Sequence, residues 1–190
     1  GTVQVSADTN PGAATGAVTL EGGTLATTAS FASARDIMMT GTGTISTAAD
    51  TTFTFDGLFS GPGALTKAGT GTLLVTGDSS AYAGAATVAA GTLAIQGSLG
   101  SAVTVADGAR LEGAGQIGSL INSGTVAPGR DGFGTLTVLG GYDGAGGTLE
   151  IETALGGDAS QTDRLVVGGG TSGTTEIVIT NRGGLGGQTV

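Results

Sequence analysis

Ser79 and Ser80 directly follow Asp78, an arrangement in which a base at hand could turn a hydroxyl into a nucleophile. The base is missing, because the chain contains neither histidine nor cysteine. A Ser-His-Asp triad and a Cys-His pair therefore cannot be assembled, and zinc sites of thiolate and imidazole go with them. Glu150, Asp158 and Asp163 carry oxygens of the kind calcium takes. Their spacing matches neither an EF-hand nor the calcium-binding nonapeptide of repeat toxins, so they read as solvated carboxylates. Asp163-Arg164 reads as structural too, a local ion pair or turn that pins the polar loop Gly156–Asp163 to the strand after it. Arg130-Asp131-Gly132 does not have the Arg-Gly-Asp order of an integrin motif. The expectation is no catalytic, cofactor-binding or metal-ligating residue, and a protein that is not an enzyme.

Charge narrows the partners. Six basic residues against fifteen acidic ones give a net charge of −9. Arg35, Lys67, Arg110, Arg130, Arg164 and Arg182 stand isolated in the sequence, with no stripe to follow a phosphate backbone or an anionic bilayer. Nucleic acid is not expected as a partner. Without cysteine there is no disulfide framework. No apolar run reaches membrane-span length, and the N-terminus lacks a basic-then-apolar leader. The chain starts and stops abruptly, which suggests a piece of a longer protein.

The elements themselves are short. From Gly57 to Ile95 the apolar triplets Leu65-Thr66-Lys67, Leu73-Leu74-Val75 and Leu93-Ala94-Ile95 alternate with glycine corners. Val18–Leu20, Ile37–Met39, Phe53–Phe55 and Val103–Val105 extend the series on both sides. Forty glycines with three prolines and no Gly-X-Y period exclude collagen. Gly-Thr-aliphatic recurs from Gly23, Gly43, Gly71 and Gly91, at intervals of 20, 28 and 20 residues, the signature of a solenoid. A single rung of ~20 residues loses ~1–2 kcal/mol of backbone entropy per residue. Each inward aliphatic returns only ~1.5–3 kcal/mol, so a rung stands only when neighbours stack on it. Roughly eight or nine rungs would make a rod of about 40 Å. Aromatics are 4% of the chain, which predicts a narrow tube evenly filled by Val, Leu, Ile, Ala and Thr. Met38 and Met39 read as filler, and Tyr82 and Tyr142 as covers over turns.

The texture shifts at Gly113. Ala127-Pro128-Gly129 makes a turn, and longer strands follow at Leu136–Val138, Leu149–Ile151, Leu165–Val167 and Ile177–Ile179. Residues 1–112 therefore read as coil rungs and 113–190 as a more irregular terminal part that caps the same coil, since open coil ends need covering.

The central stretch resembles the passenger-associated transport repeat of bacterial autotransporters, the type V secretion family. Gly61, Gly63, Leu65, Lys67, Gly69, Gly71, Thr72, Leu73, Val75 and Gly77 match that repeat in order, followed by Tyr82, Gly84, Val88, Gly91, Thr92 and Leu93. Ser80 and Ala86 depart from it, where the family has Asn and Thr. Arg35–Met39 looks like the strand that precedes the repeat. Gly124–Gly129, Gly134–Val138, Leu149–Ile151, Asp163–Val167 and Gly184–Thr189 resemble the C-terminal part of pertactin-like passengers.

The resemblance implies an all-β, single-stranded right-handed parallel β-helix, with the transport repeat at about 57–95 and an autochaperone-like region at 113–190. It implies a membrane-proximal stem that promotes passenger folding and secretion, on the extracellular side of a Gram-negative outer membrane. Its partners would be the protein's own C-terminal outer-membrane β-barrel and the upstream passenger rungs. An adhesin surface for host or neighbouring-cell ligands is the alternative reading, and a polysaccharide lyase is a third, against which the scattered cations count.

Overall fold

The computed structural model describes residues 1–157 and 159–187. Those residues are all strand and turn, with no helix, and coil into a parallel β-solenoid of about seven turns. Each full turn visits three faces. Gly23–Thr27 lies on face one, Phe31–Ser33 on face three and Ile37–Met39 on face two, and the chain then returns to face one at Gly43–Thr47. Every named triplet of the sequence lies within a strand. Face three is the cleanest ladder, with eight parallel strands from Phe31–Ser33 to Glu176–Asn181. Eight strands make seven steps, a stack of roughly 34 Å at the usual spacing.

The Gly-Thr-aliphatic intervals do not follow one column. Thr24 pairs with Thr44 on face one, whereas Thr72 pairs with Thr92 on face three. The interval of 28 is therefore a change of face plus a turn: eight positions from Thr44 to Thr52, then twenty from Thr52 to its partner Thr72. The shift of texture is a tightening. From Leu93 to its partner Leu111 is 18 residues, and from Leu111 to Val126 only 15. Ser98–Val105 and Gln116–Asn122 run from face two into face one as single strands, which removes a loop from each of those turns. Later turns lengthen again, to 23 residues from Val126 to Leu149 and 28 from Leu149 to Ile177.

Glycine is required where the corners of successive turns touch. Gly113 has φ +123°, and a Cβ there would collide with the carbonyl oxygen of Ile95 in the turn above. Only glycine meets both demands.

The core is a column of inward side chains, but it is not evenly filled. Five of the seven aromatics gather in one chain of contacts, with ring centres 4.9 Å apart for Phe31–Phe53, 6.3 Å for Phe53–Phe55, 4.2 Å for Phe55–Phe59 and 5.8 Å for Phe59–Tyr82. Downstream the same column is aliphatic: Leu93, Leu111 and Val126 succeed one another on face three. Met39 is buried and Met38 half-exposed, as strand alternation demands.

Residues 113–187 continue the ladder in register on face three. Their irregularity is confined to corners. The chain leaves Thr148–Thr153 and returns through an antiparallel bridge between Thr153 and Thr162. The last turn leaves the inward Ile177 and Ile179 at 60% and 66% exposure.

Candidate functional site

Two features of the coil hold neighbouring turns together by polar chemistry, and both come from charged residues the sequence shows as isolated. The first is Lys67. Alternation in Leu65–Ala68 turns it inward, where it follows Ile45 and precedes Val88 in the face-one column. The side chain is fully buried. Its stem lies along the apolar column, and its ammonium reaches the corner beyond the strand. There Nζ donates to the carbonyls of Ala68 at 2.8 Å, Gly69 at 2.8 Å and Ala90 at 3.0 Å. Three donors meet three acceptors, the last of them in the next turn. Among the described residues no carboxylate pairs with the charge, and burial pushes the ammonium down to about 8.

Tyr82 lies at the opposite corner of face one, before the strands Leu65–Ala68 and Ala86–Val88. It is buried against Phe59, and its hydroxyl donates to the carbonyl of Gly63 at 2.6 Å. It covers a turn, as its glycine neighbours suggested. Burial pushes the hydroxyl up to about 12.

The second feature is a charged groove of about 550 Å³ on the outer side of face three. Arg110 and Glu112 point outward from one strand and Glu150 and Glu152 from another, two turns on. Arg110 donates to Glu112 at 3.0 Å and Glu150 at 2.6 Å, and Arg130 donates to the other oxygen of Glu112 at 2.9 Å. Arg182 pairs with Glu152. Half the cations of the chain thus meet in one place, a correction to the reading of them as scattered. Each guanidinium in the groove already holds a carboxylate, so the groove works as a clamp across turns. Solvent screens the more exposed of these pairs, so they fix the geometry of the turns more than they stabilise them.

Asp163 pins the groove's inner edge. It is 5% exposed, and its carboxylate accepts the backbone N–H of Gly134 at 2.8 Å and of Glu152 at 2.9 Å. It ties two corners and a strand together, while Arg164 points to solvent. The sequence reading ties the loop to the strand after it through Asp163-Arg164; the Asp163 carboxylate instead bonds the backbone of Gly134 and Glu152, upstream of the loop.

Comparison with known proteins places both features. The model of a family described as Passenger-associated-transport-repeat matches residues 65–95, and that of Autochaperone Domain Type 1 matches residues 115–190. The chain is 48% identical, over its whole length, to the Adhesin BmaC autotransporter of Brucella suis biovar 1 (strain 1330), of which it covers 6%. It is 43% identical over 63 residues to Autotransporter adhesin AIDA-I of Escherichia coli, a match of 33% of this chain and 5% of that protein. The chain is a segment of an autotransporter passenger.

Within the passenger, Lys67 and Tyr82 belong to the transport repeat, and most of the charged clamp belongs to the autochaperone match. The other candidate residues are held in local structure. Ser79 is buried, and its Oγ accepts the amide of Phe59 at 2.9 Å. Asp78 accepts from the hydroxyl of Ser98 at 2.5 Å and the amide of Ser80 at 3.1 Å, and these bonds, Ser98 foremost, lower its carboxyl below the usual range. Of the calcium candidates, Glu150 pairs with Arg110 and Asp163 with backbone, and Asp158 lies outside the described residues. Gln188 and Thr189, part of the pertactin-like resemblance, lie outside them as well. Arg130 faces Glu112, and the exposed Asp131 turns the chain with φ 61°.

The sequence reading missed Lys67 as a buried clamp and the arginine–glutamate ladder. A signal for each was present. Lys67 occupies the inward phase of its triplet, and Arg110/Glu112 and Glu150/Glu152 are period-two pairs on the outward phase of their strands.

Proposed function

We propose that this segment is the membrane-proximal stem of the passenger, and that it promotes folding and secretion by templating. The observation that carries the reading is the continuity of face three, whose parallel ladder passes from the transport repeat into the autochaperone match without a change of register partner. An already folded downstream turn presents strand edges at fixed spacing. The turn before it can then add without forming a nucleus of its own, which is the costly step for a rung that cannot stand alone. The names of the relatives support placement at the cell surface of a Gram-negative bacterium. The partners would be the protein's own C-terminal outer-membrane β-barrel and the passenger rungs upstream. In this reading the chain has no catalytic role, and its polar residues serve to join turns.

The test is refolding of the purified passenger with Leu165→Asp. Leu165 stacks on the buried Leu136 in the autochaperone match. Pulse-labelled hydrogen exchange should show the amides of residues 65–95 acquiring protection about tenfold more slowly than in the wild type, the size expected when ~1.4 kcal/mol of template is lost before the rate-limiting step. Unchanged refolding upstream, in a variant whose residues 164–181 exchange faster, would contradict templating.

Two of the relatives carry the word adhesin in their names, which supports a second reading as a binding surface. Host-cell binding that is lost on altering this segment, in a passenger that still folds, would favour it.

A further inference from the structure

The first turn of the coil lacks a strand. In the turns that follow, the chain passes from face one to face three and then to face two. Between Thr2–Val5 on face one and Val18–Leu20 on face two there is only a loop, residues 6–17. Backbone turns close at Asn10 on Ala7, Gly12 on Thr9 and Gly16 on Ala13. The side-chain oxygen of Asn10 accepts the amides of Ser6 at 2.7 Å and Ala7 at 3.0 Å. Pro11, at its middle, has no N–H with which to extend a ladder.

What holds this loop is one buried guanidinium. Arg35 follows the first strand of face three, and its side chain is 4% exposed. Nε donates to the carboxylate of Asp8 at 2.8 Å. Nη1 donates to the carbonyls of Ala13 at 2.5 Å and Gly16 at 2.9 Å. Nη2 donates to the carbonyls of Asp8 at 2.7 Å and Gly12 at 2.7 Å. All five donors of the fork are used, in a planar pattern no lysine can copy. Val5, Val18, Leu25 and Phe31, with the loop's own Pro11, surround the end of the core. Carbonyls that an added strand would have used for pairing are turned instead onto Arg35.

We infer that Arg35 and the loop of residues 6–17 form a ladder stop, which closes face three at its upstream edge and sets the coil from Val18 onward apart as a unit. A turn arriving from upstream finds partners on faces one and two and none on face three. Coupling across this boundary is weaker than between any two turns joined on all three faces, so the downstream coil unfolds and folds separately from what precedes it. Its consequence for secretion, that zipping pauses here, rests on the templating reading; the boundary itself does not.

The experiment is hydrogen exchange, read by mass spectrometry, on the purified full-length passenger in rising denaturant. The expected result is two steps. Residues 18–181 keep their protection to a higher denaturant concentration than the passenger upstream of Thr2. In Arg35→Lys, which keeps the charge and loses the fork, amides within 6–17 should exchange at least tenfold faster. Replacing residues 6–17 with a copy of residues 28–36, the connection used by the next turn, should restore a face-three strand and merge the two steps. A single step spanning the boundary in the wild type overturns the inference, as does an Arg35→Lys protein whose loop exchanges at the wild-type rate. Two steps in a passenger whose display does not need residues 113–190 would leave the stop standing and remove templating. One step in a passenger whose display does need them would do the reverse.

Discussion

Phe55→Ala is expected to destabilise the upstream turns by about 3–5 kcal/mol, and to do so locally. Phe55 is fully buried, with Phe59 at 4.2 Å and Phe53 at 6.3 Å. It stands in the middle of the aromatic stack that fills the coil from Phe31 to Tyr82, and alanine leaves a hole that a tube of strands pinned by glycine corners cannot collapse around. A solenoid passes stress only to adjacent turns. Hydrogen exchange should therefore show protection falling across residues 31–82, while residues 110–181, which lie outside the aromatic stack and whose outer face is clamped, keep theirs. Loss of protection spread evenly to residue 181 would show a coil that melts as one body and would weaken the case for an independently standing template.

Stability should also pass through a maximum near pH 10, set by two buried groups of opposite sign. Lys67 is the only lysine. Its folded value of about 8 lies below its ordinary 10.5, so the unfolded chain binds the extra proton between those values. Stability therefore rises as pH climbs from about 8 to 10.5 and is flat below that window. Tyr82 runs the other way. Its folded value, near 12, lies above its ordinary 10.0, so its contribution is fully present below pH 10 and is lost as pH rises toward 12. Each unit of difference is about 1.4 kcal/mol at most, and the three carbonyls on Lys67 favour the charged form, which holds its rise to roughly 1–3 kcal/mol. Denaturation midpoints at pH 7, 9, 10 and 11.5 measure the curve. Lys67→Met should abolish the rise, and Tyr82→Phe should abolish the fall due to this residue. A flat wild-type curve between pH 8 and 10 would show that the ammonium is as well solvated in its corner as in water.

The fold was legible because its elements are short and their alternation is clean. Each triplet from Val18–Leu20 to Ile177–Ile179 marks a strand, since a three-residue strand between glycine corners leaves little freedom of phase. Two-residue strands such as Phe59–Ser60 and Asp78–Ser79 carry no alternation to read and were invisible. Register was harder. Gly-Thr-aliphatic marks a strand start but not which face it starts on, so Gly43 and Gly71 looked like members of one column. Composition misled about the core. A low aromatic count says nothing about where the few aromatics gather, and five of them stack in consecutive turns. The polar clamps were hidden for a related reason: Arg110 and Glu150 are forty residues apart in the chain and 2.6 Å apart in space, because turn length decides which outward residues meet. Arg35 gave no sequence signal beyond a lone cation, since its partners are backbone carbonyls that any residue supplies.

The most direct test of templating is display of the passenger, in cells carrying the full gene, with residues 113–190 deleted. Templating predicts that the upstream passenger reaches the surface protease-sensitive or is degraded. A passenger that arrives folded and protease-resistant while adhesion is lost would contradict it and make this segment a binding surface.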